Sequence, residues 1–291
     1  MNIGAKLYYI LKSMRPKQWT KNSFDFAGLI FSKSFFYIEP VIRSVYAFLL
    51  FSVVSGAVYL INDVIDRKKD MLHPRKCKRP VASGKLKPIE ALLSAGIILV
   101  ASLLIAFTLD FKLFLVLAGY ALMVSLYSLI LKNVIILDVI IIAMGFVLRT
   151  IGGAVVIDVK ISPWLIECTT LLALFLALNK RKSELLVMSE DASKHRKILN
   201  QYTPELIDQM LGVVTSTTVI TYSLYTFNAG KTYYMMFTIP FVLYGIFRYQ
   251  YLVATTDLGG SPELALLKDK PLMIDIILWA ITSIIIVYYF Y

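Results

Sequence analysis

Cysteine and charge are both scarce in this sequence, and each shortage excludes a class of protein. Only two cysteines, Cys77 and Cys168, occur in 291 residues, and their wide separation excludes a disulfide framework. Charged residues make up 17% of the chain and apolar residues 58%, a composition that argues against a soluble globular domain. Residues 1–20 are mixed and basic, without the continuous apolar core of a cleaved signal peptide.

Long runs without charge are the main feature of the chain. Residues 91–109, 113–131 and 209–230 each lack charge over about the length that a helix needs to cross a bilayer. Because these runs are helical in length, we predict an all-α integral membrane bundle that forms one domain over residues 1–291. Nine transmembrane spans are predicted, at residues 20–37, 41–64, 89–109, 112–131, 134–156, 162–180, 206–228, 232–252 and 271–290.

The basic residues are concentrated on one predicted side of the membrane. Of the 30 Lys and Arg residues, 24 fall in five segments and five fall in the turns on the opposite side. This bias predicts a cytoplasmic N-terminus and an external C-terminus, and it does not indicate binding of nucleic acid. An interfacial helix is predicted at residues 1–14, and two cytoplasmic segments are predicted to cap the bundle. The five basic segments are residues 1–22, 65–88, 132–133, 180–205 and 248–270, and the second and fourth are the caps.

An acidic motif lies where the second predicted span meets the cytoplasm. If the helix continues past the span, Asn62, Asp66 and Asp70 recur every four residues and share one face. Asp63 lies one turn before Asp66, close to the same side. Stacked carboxylates repel each other unless a cation lies among them, and oxygen ligands of this kind suit Mg²⁺. We therefore predict a magnesium site on these four residues.

Other unusual polar residues precede span one or follow spans two, four and six, on the cytoplasmic side. They favour one cavity that takes an anionic substrate from the cytoplasm and a lipid from the side. The candidates are Arg15, Lys17, Lys21, Asn22, Lys76, Arg79, Tyr127, Lys132, Asp138, Lys180, Arg181 and Glu184, with Arg149 deeper in span five.

A purely structural role stays open for several of these residues. The basic residues before span one and after span two serve equally as topology anchors. Lys180 and Glu184 have the spacing of a helix salt bridge, and Arg149 suits an intramembrane ion pair. The neighbouring Gly152 and Gly153 predict a close approach of another backbone. A turn of only two residues, 132–133, is predicted between spans four and five.

Five further motifs occur in order along residues 15 to about 185. They are Arg15-Pro16-Lys17-Gln18-Trp19-x-Lys21-Asn22, His73-Pro74-x-Lys76-x-x-Arg79-Pro80, Tyr127-Ser128-Leu129-x-Leu131-Lys132 with Asp138, Arg149-x-x-Gly152-Gly153, and Lys180-Arg181-x-x-Glu184-Leu185. Together with Asn62-Asp63-x-x-Asp66-x-x-x-Asp70, they resemble the UbiA superfamily of intramembrane prenyltransferases. Within it, they resemble the decaprenyl-phosphate phosphoribosyltransferase branch.

The chain departs from superfamily members that act on aromatic substrates. Those members carry a second Asp-rich motif after span six, where this chain has Lys180, Arg181 and Lys182. Glu190-Asp191 is a poor substitute for that motif. The departure argues against an isoprenoid diphosphate donor held between two metal-loaded motifs.

The resemblance implies transfer of 5-phosphoribose from phosphoribosyl diphosphate (PRPP) to a polyprenyl phosphate at a prokaryotic plasma membrane, with release of diphosphate. It implies that Asp63, Asp66, Asp70 and Asp138 are catalytic, with Mg²⁺ held by the first three and Asn62. The remaining candidates would bind the two substrates from the cytoplasmic side. Two alternatives stay open: a prenyltransferase that uses an isoprenoid diphosphate donor on the same fold and, more distantly, a transporter. A homo-oligomer also stays open.

Overall fold

The computed structural model describes residues 3–73, 76–187, 197–228 and 233–290, and all regular structure in these ranges is helical. The α-helices are α1 Ile3–Ser13, α2 Ala27–Phe31, α3 Ile38–Ile65, α4 Arg67–Leu72, α5 Pro88–Leu109, α6 Phe111–Leu129, α7 Leu137–Val155, α8 Pro163–Val187, α9 Pro204–Asn228, α10 Ile239–Thr255, α11 Pro262–Lys268 and α12 Lys270–Phe290. Short 3₁₀ helices occupy Pro16–Phe26, Ser34–Phe36, Lys76–Lys78, Leu131–Asn133, Lys197–Gln201, Tyr233–Thr238 and Asp257–Gly260. Residues 190 and 191, which replace the second acidic motif, lie outside the described residues.

Five helices in the described parts of the chain are long and apolar enough to cross a membrane: α3, α5, α6, α7 and α12. Their outer surfaces are apolar, as hydrocarbon surroundings require. On α5, for example, Ile97, Val100 and Leu104 are all more than half exposed. The predicted all-α membrane class is confirmed.

The other four predicted spans have different outcomes. Of the span predicted at 162–180, residues 163–180 lie within α8, and residues 206–228 lie within α9. Of the span predicted at 232–252, residues 233–252 divide between a 3₁₀ helix and α10, and residue 232 lies outside the described residues. Residues 20–37 do not form one continuous helix, because Lys33 adopts a left-handed conformation and Tyr37 is extended. The count of nine spans and the orientation of the termini stay predictions.

The chain divides into two compact units, and the first comprises Met1–Ile141 and Gly145–Ile161. Its centre is α3, which packs against α5, α6 and the 3₁₀ helix Pro16–Phe26. Phe51 and Val54 on α3 are fully buried, and the Phe51 ring meets the Tyr120 ring edge to face, with centroids 5.3 Å apart. Because α3 packs against these three neighbours, its C-terminal end, where the acidic motif begins, has a fixed position in the unit.

The helix α1 packs on α3 and is tied to the start of α5 by an ion pair. The ammonium of Lys6 lies 2.7 Å from a carboxylate oxygen of Glu90. Leu7, Tyr8 and Leu11 on α1 are each more than half exposed. An exposed apolar face of this kind suits the predicted interfacial position, which stays a prediction.

The predicted close approach of another backbone is confirmed at Gly153, whereas Gly152 meets an aromatic side chain. A methyl group added to Gly153 would lie 1.8 Å from the backbone oxygen of Asp25. One added to Gly152 would lie 2.5 Å from the Phe51 ring. A residue larger than glycine at either position on α7 would therefore require the backbone of Asp25 or the ring of Phe51 to move.

The predicted two-residue turn between α6 and α7 is wrong. The connection runs from Ile130 to Ile136 and contains the 3₁₀ helix Leu131–Asn133. Ile136 has a φ of 70°, which a β-branched residue rarely adopts, and α7 begins only after it. As a result, Lys132 lies on the connection and Asp138 lies in the first turn of α7.

The second unit comprises Ile142–Met144 and Ser162–Tyr291. In it α8 packs along α9, and α10 packs against α12. The indole nitrogen of Trp279 donates to the Tyr222 hydroxyl over 2.9 Å. Arg248 donates two hydrogen bonds to Asp269, over 3.1 and 2.7 Å, and these bonds hold the pKa of the Asp269 carboxyl below its usual value. Such bonds satisfy polar groups that hydrocarbon cannot.

Candidate active site

The acidic motif spans a break between two helices. A shared face for Asn62, Asp66 and Asp70 was predicted on condition that the helix continues, but α3 ends at Ile65 and α4 begins at Arg67. The break is local, because the Asp66 amide still bonds to the Asn62 carbonyl over 2.9 Å and the Asp70 amide to the Asp66 carbonyl over 2.8 Å. The four-residue spacing is therefore retained although the helix itself is interrupted.

Asp63 is buried between two guanidinium groups. Arg15 Nη2 and Arg79 Nη1 both donate to the same carboxylate oxygen, Asp63 Oδ1, the latter over 3.2 Å. The other oxygen, Asp63 Oδ2, is buried and has no hydrogen-bond partner among the described residues. A buried carboxylate oxygen without a partner is costly, so it marks a position where a further ligand would be stabilising.

Arg79 and Lys132 bring the remaining acidic residues into the same network. Arg79 Nη1 lies 2.6 Å from Asp70 Oδ2, so one guanidinium bridges Asp63 and Asp70. Lys132 Nζ lies 2.8 Å from each carboxylate oxygen of Asp66 and 3.3 Å from the Asn62 amide oxygen. Three carboxylates are therefore matched by three cations, all within the first unit.

Arg15 has an unusual backbone conformation. Its φ and ψ of 54° and 63° are left-handed, although the residue precedes Pro16. A residue before proline normally adopts an extended conformation, so this backbone is strained. The guanidinium stacks 4.7 Å from the centre of the Tyr59 ring, one helical turn before Asp63. The sequence analysis missed Tyr59, although its four-residue spacing from Asp63 was a usable signal.

The site has ligands of the right chemical type for a divalent cation. Carboxylate and amide oxygens are the ligands that Mg²⁺ prefers, and Asp63 Oδ2 is a buried oxygen without a hydrogen-bond partner in the described parts of the chain. No group of three His, Cys, Asp or Glu residues in the described chain is arranged to hold a metal ion as it stands. The metal role of Asn62, Asp63, Asp66 and Asp70 stays a prediction.

The other predicted site residues in the first unit differ in exposure. Lys17 and Lys76 are exposed, Lys21 and Tyr127 are partly buried, and Asp138 is fully buried. Their roles toward substrate stay predictions.

The three remaining candidates, Lys180, Arg181 and Glu184, belong to α8 in the second unit. Arg181 is buried there and pairs with Glu184 over 2.5 Å. Arg181 therefore forms a salt bridge within this helix, and the predicted pairing of Lys180 with Glu184 stays a prediction.

Arg149 and Asn22 are buried inside the first unit and bind each other. Arg149 Nε donates to Asn22 Oδ1 over 2.5 Å, Nη1 to the Gly145 carbonyl over 2.8 Å, and Nη2 to the Tyr120 hydroxyl over 2.6 Å. Asn22 also donates to Ser52 Oγ over 2.8 Å. These contacts join the 3₁₀ helix Pro16–Phe26 to α7, so the structure shows a packing role for both residues.

Replacing Arg149 with Met is expected to lower the free energy of unfolding by about 3 kcal/mol, because buried partners lose their donors. Reversible unfolding of the detergent-solubilised protein measures the change. Arg43→Met is the matched control, since Arg43 is exposed and pairs only with Glu39 on its own helix. Equal losses for the two variants would contradict a packing role for Arg149.

Comparison with known proteins places the chain among membrane prenyltransferases. Residues 27–267 match the UbiA prenyltransferase family. The chain is 30% identical over 286 residues to a decaprenyl-phosphate phosphoribosyltransferase of Mycolicibacterium smegmatis, covering 93% of this chain and 89% of that protein. It is 30% identical over 290 residues to the Corynebacterium glutamicum protein of the same name, covering 96% and 86%. A solved UbiA homologue from Archaeoglobus fulgidus, bound to GPP and Mg²⁺, has a TM-score of 0.73 at 22% identity, covering 96% and 99%.

The helical membrane fold thus has known counterparts. This chain belongs to the UbiA prenyltransferase family. The relatives that it matches along nearly their whole length are decaprenyl-phosphate phosphoribosyltransferases, the branch whose motifs it resembles. The predicted resemblance is confirmed at both levels, and the solved homologue supports the fold.

Proposed function

We propose that this protein is a polyprenyl-phosphate phosphoribosyltransferase that moves 5-phosphoribose from PRPP to a polyprenyl phosphate. The observation that carries the proposal is 30% identity to enzymes of that name along nearly the full length of both chains. The network of three carboxylates and three cations at the end of α3 adds independent support, because both substrates are phosphate anions.

The acidic residues form the donor end of the proposed site. Asn62, Asp63, Asp66 and Asp70 would hold a divalent ion, for which we propose Mg²⁺. Bound there, it would neutralise negative charge on the leaving diphosphate. The bond from the anomeric carbon to the diphosphate oxygen breaks, and the diphosphate leaves with the electron pair.

The cations that contact the acidic motif are proposed to bind the donor phosphates. Arg79 and Lys132 already lie within 3.3 Å of the acidic motif, so a diphosphate near the carboxylates is within their reach. We assign Lys76, which is exposed in the same segment, to the 5-phosphate end of the donor. The roles of Lys180 and Arg181 stay predictions.

The acceptor needs positioning more than activation. A polyprenyl phosphate is already an anion, so no strong base is required to form the new bond from its oxygen to the anomeric carbon. We propose that Arg15, Lys17 and Lys21 hold this phosphate, because they lie together around the start of the 3₁₀ helix that contacts α3. Asp138 is proposed to orient the ribose or a cation.

We further propose nine spans in a prokaryotic plasma membrane, with the N-terminus and the active site on the cytoplasmic side. The uneven distribution of Lys and Arg supports this orientation. The basic segment that contains Lys76 and Arg79 then faces the compartment that supplies a soluble phosphorylated sugar.

The test is a comparison of donors with the purified protein in lipid nanodiscs. Labelled PRPP with a polyprenyl phosphate is expected to give a labelled lipid, and geranylgeranyl diphosphate with an aromatic acceptor is expected to give none. Addition of EDTA is expected to abolish transfer, and Mg²⁺ to restore it. Prenyl transfer without phosphoribosyl transfer would overturn the proposal in favour of an isoprenoid donor.

A further inference from the structure

Each carboxylate of the acidic motif is already paired with a basic side chain that the proposed function assigns to a substrate phosphate. Lys132 binds Asp66, Arg79 binds Asp63 and Asp70, and Arg15 binds Asp63. The same three carboxylates supply the proposed metal ligands. A metal ion and the internal cations therefore compete for the oxygens that are already paired.

We infer that Lys132 and Arg79 are internal counter-ions that keep a bare divalent ion weakly bound and admit it together with a diphosphate. The inference rests on the proposed function only in taking a diphosphate as the ligand. It makes these two residues determinants of specificity for a metal–diphosphate complex over a free metal ion.

The ammonium of Lys132 occupies the side of Asp66 on which a metal ion could bind both carboxylate oxygens. Lys132 Nζ lies 2.8 Å from both carboxylate oxygens and 3.3 Å from Asn62 Oδ1, so it occupies the space between them. A magnesium ion chelated by the same two oxygens would lie at about 2.1 Å from each, in close contact with the ammonium. The ammonium must therefore move away before Asp66 can chelate a metal ion with both oxygens.

Charge balance determines when that movement is favourable. The three carboxylates and three cations of the network cancel, so a bare divalent ion would leave a partly buried site with excess positive charge. A diphosphate that arrives with the metal ion supplies new anionic partners for Lys132 and Arg79. Each cation then exchanges a carboxylate oxygen for a phosphate oxygen, and neither cation is left without an anionic partner.

Asp63 shows where the exchange can begin. Both guanidinium groups bind its Oδ1, which leaves the buried Oδ2 without a hydrogen-bond partner among the described residues. This oxygen can ligate a metal ion before any ion pair breaks. The remaining ligands become available only when Lys132 and Arg79 move to the diphosphate.

A metal titration without any donor tests this inference. The probe is Mn²⁺, measured by loss of the free-ion EPR signal on addition of the full chain in detergent. Lys132→Met is expected to bind Mn²⁺ about tenfold more tightly than the unmodified protein, because a positive charge next to the metal is removed. Arg79→Met is expected to change affinity in the same direction and serves as the second variant if the first does not fold.

Three controls separate this effect from a general change in charge. Lys112→Met removes an exposed lysine whose partner is Asp158, and it is expected to leave Mn²⁺ affinity unchanged. Lys132→Arg keeps the charge and is expected to bind Mn²⁺ no more tightly than the unmodified protein. Adding Asp66→Asn to Lys132→Met is expected to cancel the gain, because the ligand itself is lost.

The outcomes distinguish this inference from the proposed function. Unchanged or weaker Mn²⁺ binding by folded Lys132→Met and Arg79→Met would overturn the counter-ion role, whatever the enzyme transfers. A gain that survives Asp66→Asn would also overturn it, because the metal would then bind elsewhere. A gain that depends on Asp66, with no transfer from PRPP, would support the counter-ion role and overturn the proposed function alone.

Discussion

Asp66→Asn is expected to lower phosphoribosyl transfer from PRPP by about a hundredfold or more, because a charged ligand beside the leaving diphosphate is lost. The substitution keeps the size of the side chain and leaves the ammonium of Lys132 with a neutral partner. Initial rates with purified protein, Mg²⁺ and a polyprenyl phosphate measure the effect. A change in turnover at saturating PRPP, rather than in KM alone, indicates loss of transition-state stabilisation.

Asp158→Asn is the matched control for this variant. Asp158 lies in the same unit, its side chain is 91% exposed, and it pairs only loosely with Lys112, over 3.4 Å. Its φ of 52° is also one that Asn tolerates well. The control is expected to transfer phosphoribose at the unmodified rate. Similar rates for both variants would exclude Asp66 from the proposed metal site.

Gly153→Ala is expected to lower the free energy of unfolding by about 3 kcal/mol, because overpacking against backbone cannot be relieved by rotation of a side chain. The added methyl group would lie 1.8 Å from the Asp25 backbone oxygen and 2.6 Å from its carbonyl carbon. The 3₁₀ helix that carries Asp25 would have to move away from α7. Because that helix begins next to Arg15, the variant is also expected to weaken binding of the acceptor.

Gly119→Ala separates this steric effect from the general preference of helices for alanine. Gly119 lies within α6, and an added methyl group would meet nothing within 4 Å. Alanine there is expected to be neutral or to stabilise the helix by up to about 1 kcal/mol. Reversible unfolding of both variants in mixed micelles measures the difference. Equal stability of the two variants would show that α7 and the 3₁₀ helix do not approach closely.

Sequence alone located much of the site because its signals are local. Asn62, Asp66 and Asp70 follow a charge-free run at helical spacing, and Arg79 follows in the basic segment. The structure brings Arg79 and the distant Lys132 into contact with these residues, and the single cavity stays a prediction. Which cation would pair with which carboxylate was not predictable, because that depends on helix packing rather than on spacing.

The predictions that failed depended on backbone conformations that cannot be inferred from the residue types. Lys33 and Ile136 have positive φ values, yet neither is glycine or asparagine. Lysine and isoleucine rarely adopt such conformations, so these residue types did not predict the broken helix at residues 20–37 or the longer α6–α7 connection. The sequence was equally compatible with a role of Arg149 in substrate binding and with a role in helix packing. Its bond to Tyr120, a distant residue in the chain, reveals a packing contact.

The break at Asp66 divides the acidic motif between two backbone segments that are constrained to different degrees by packing. Asp63 belongs to α3, where almost any change disturbs a packed membrane helix. Asp70 belongs to the six-residue helix α4 at the start of the basic segment. Insertions and substitutions in that segment can alter Asp70 and Arg79 while leaving Asp63 in place. A change of length in the basic segment would therefore shift Asp70 relative to Asp63 and alter the spacing of the proposed metal ligands.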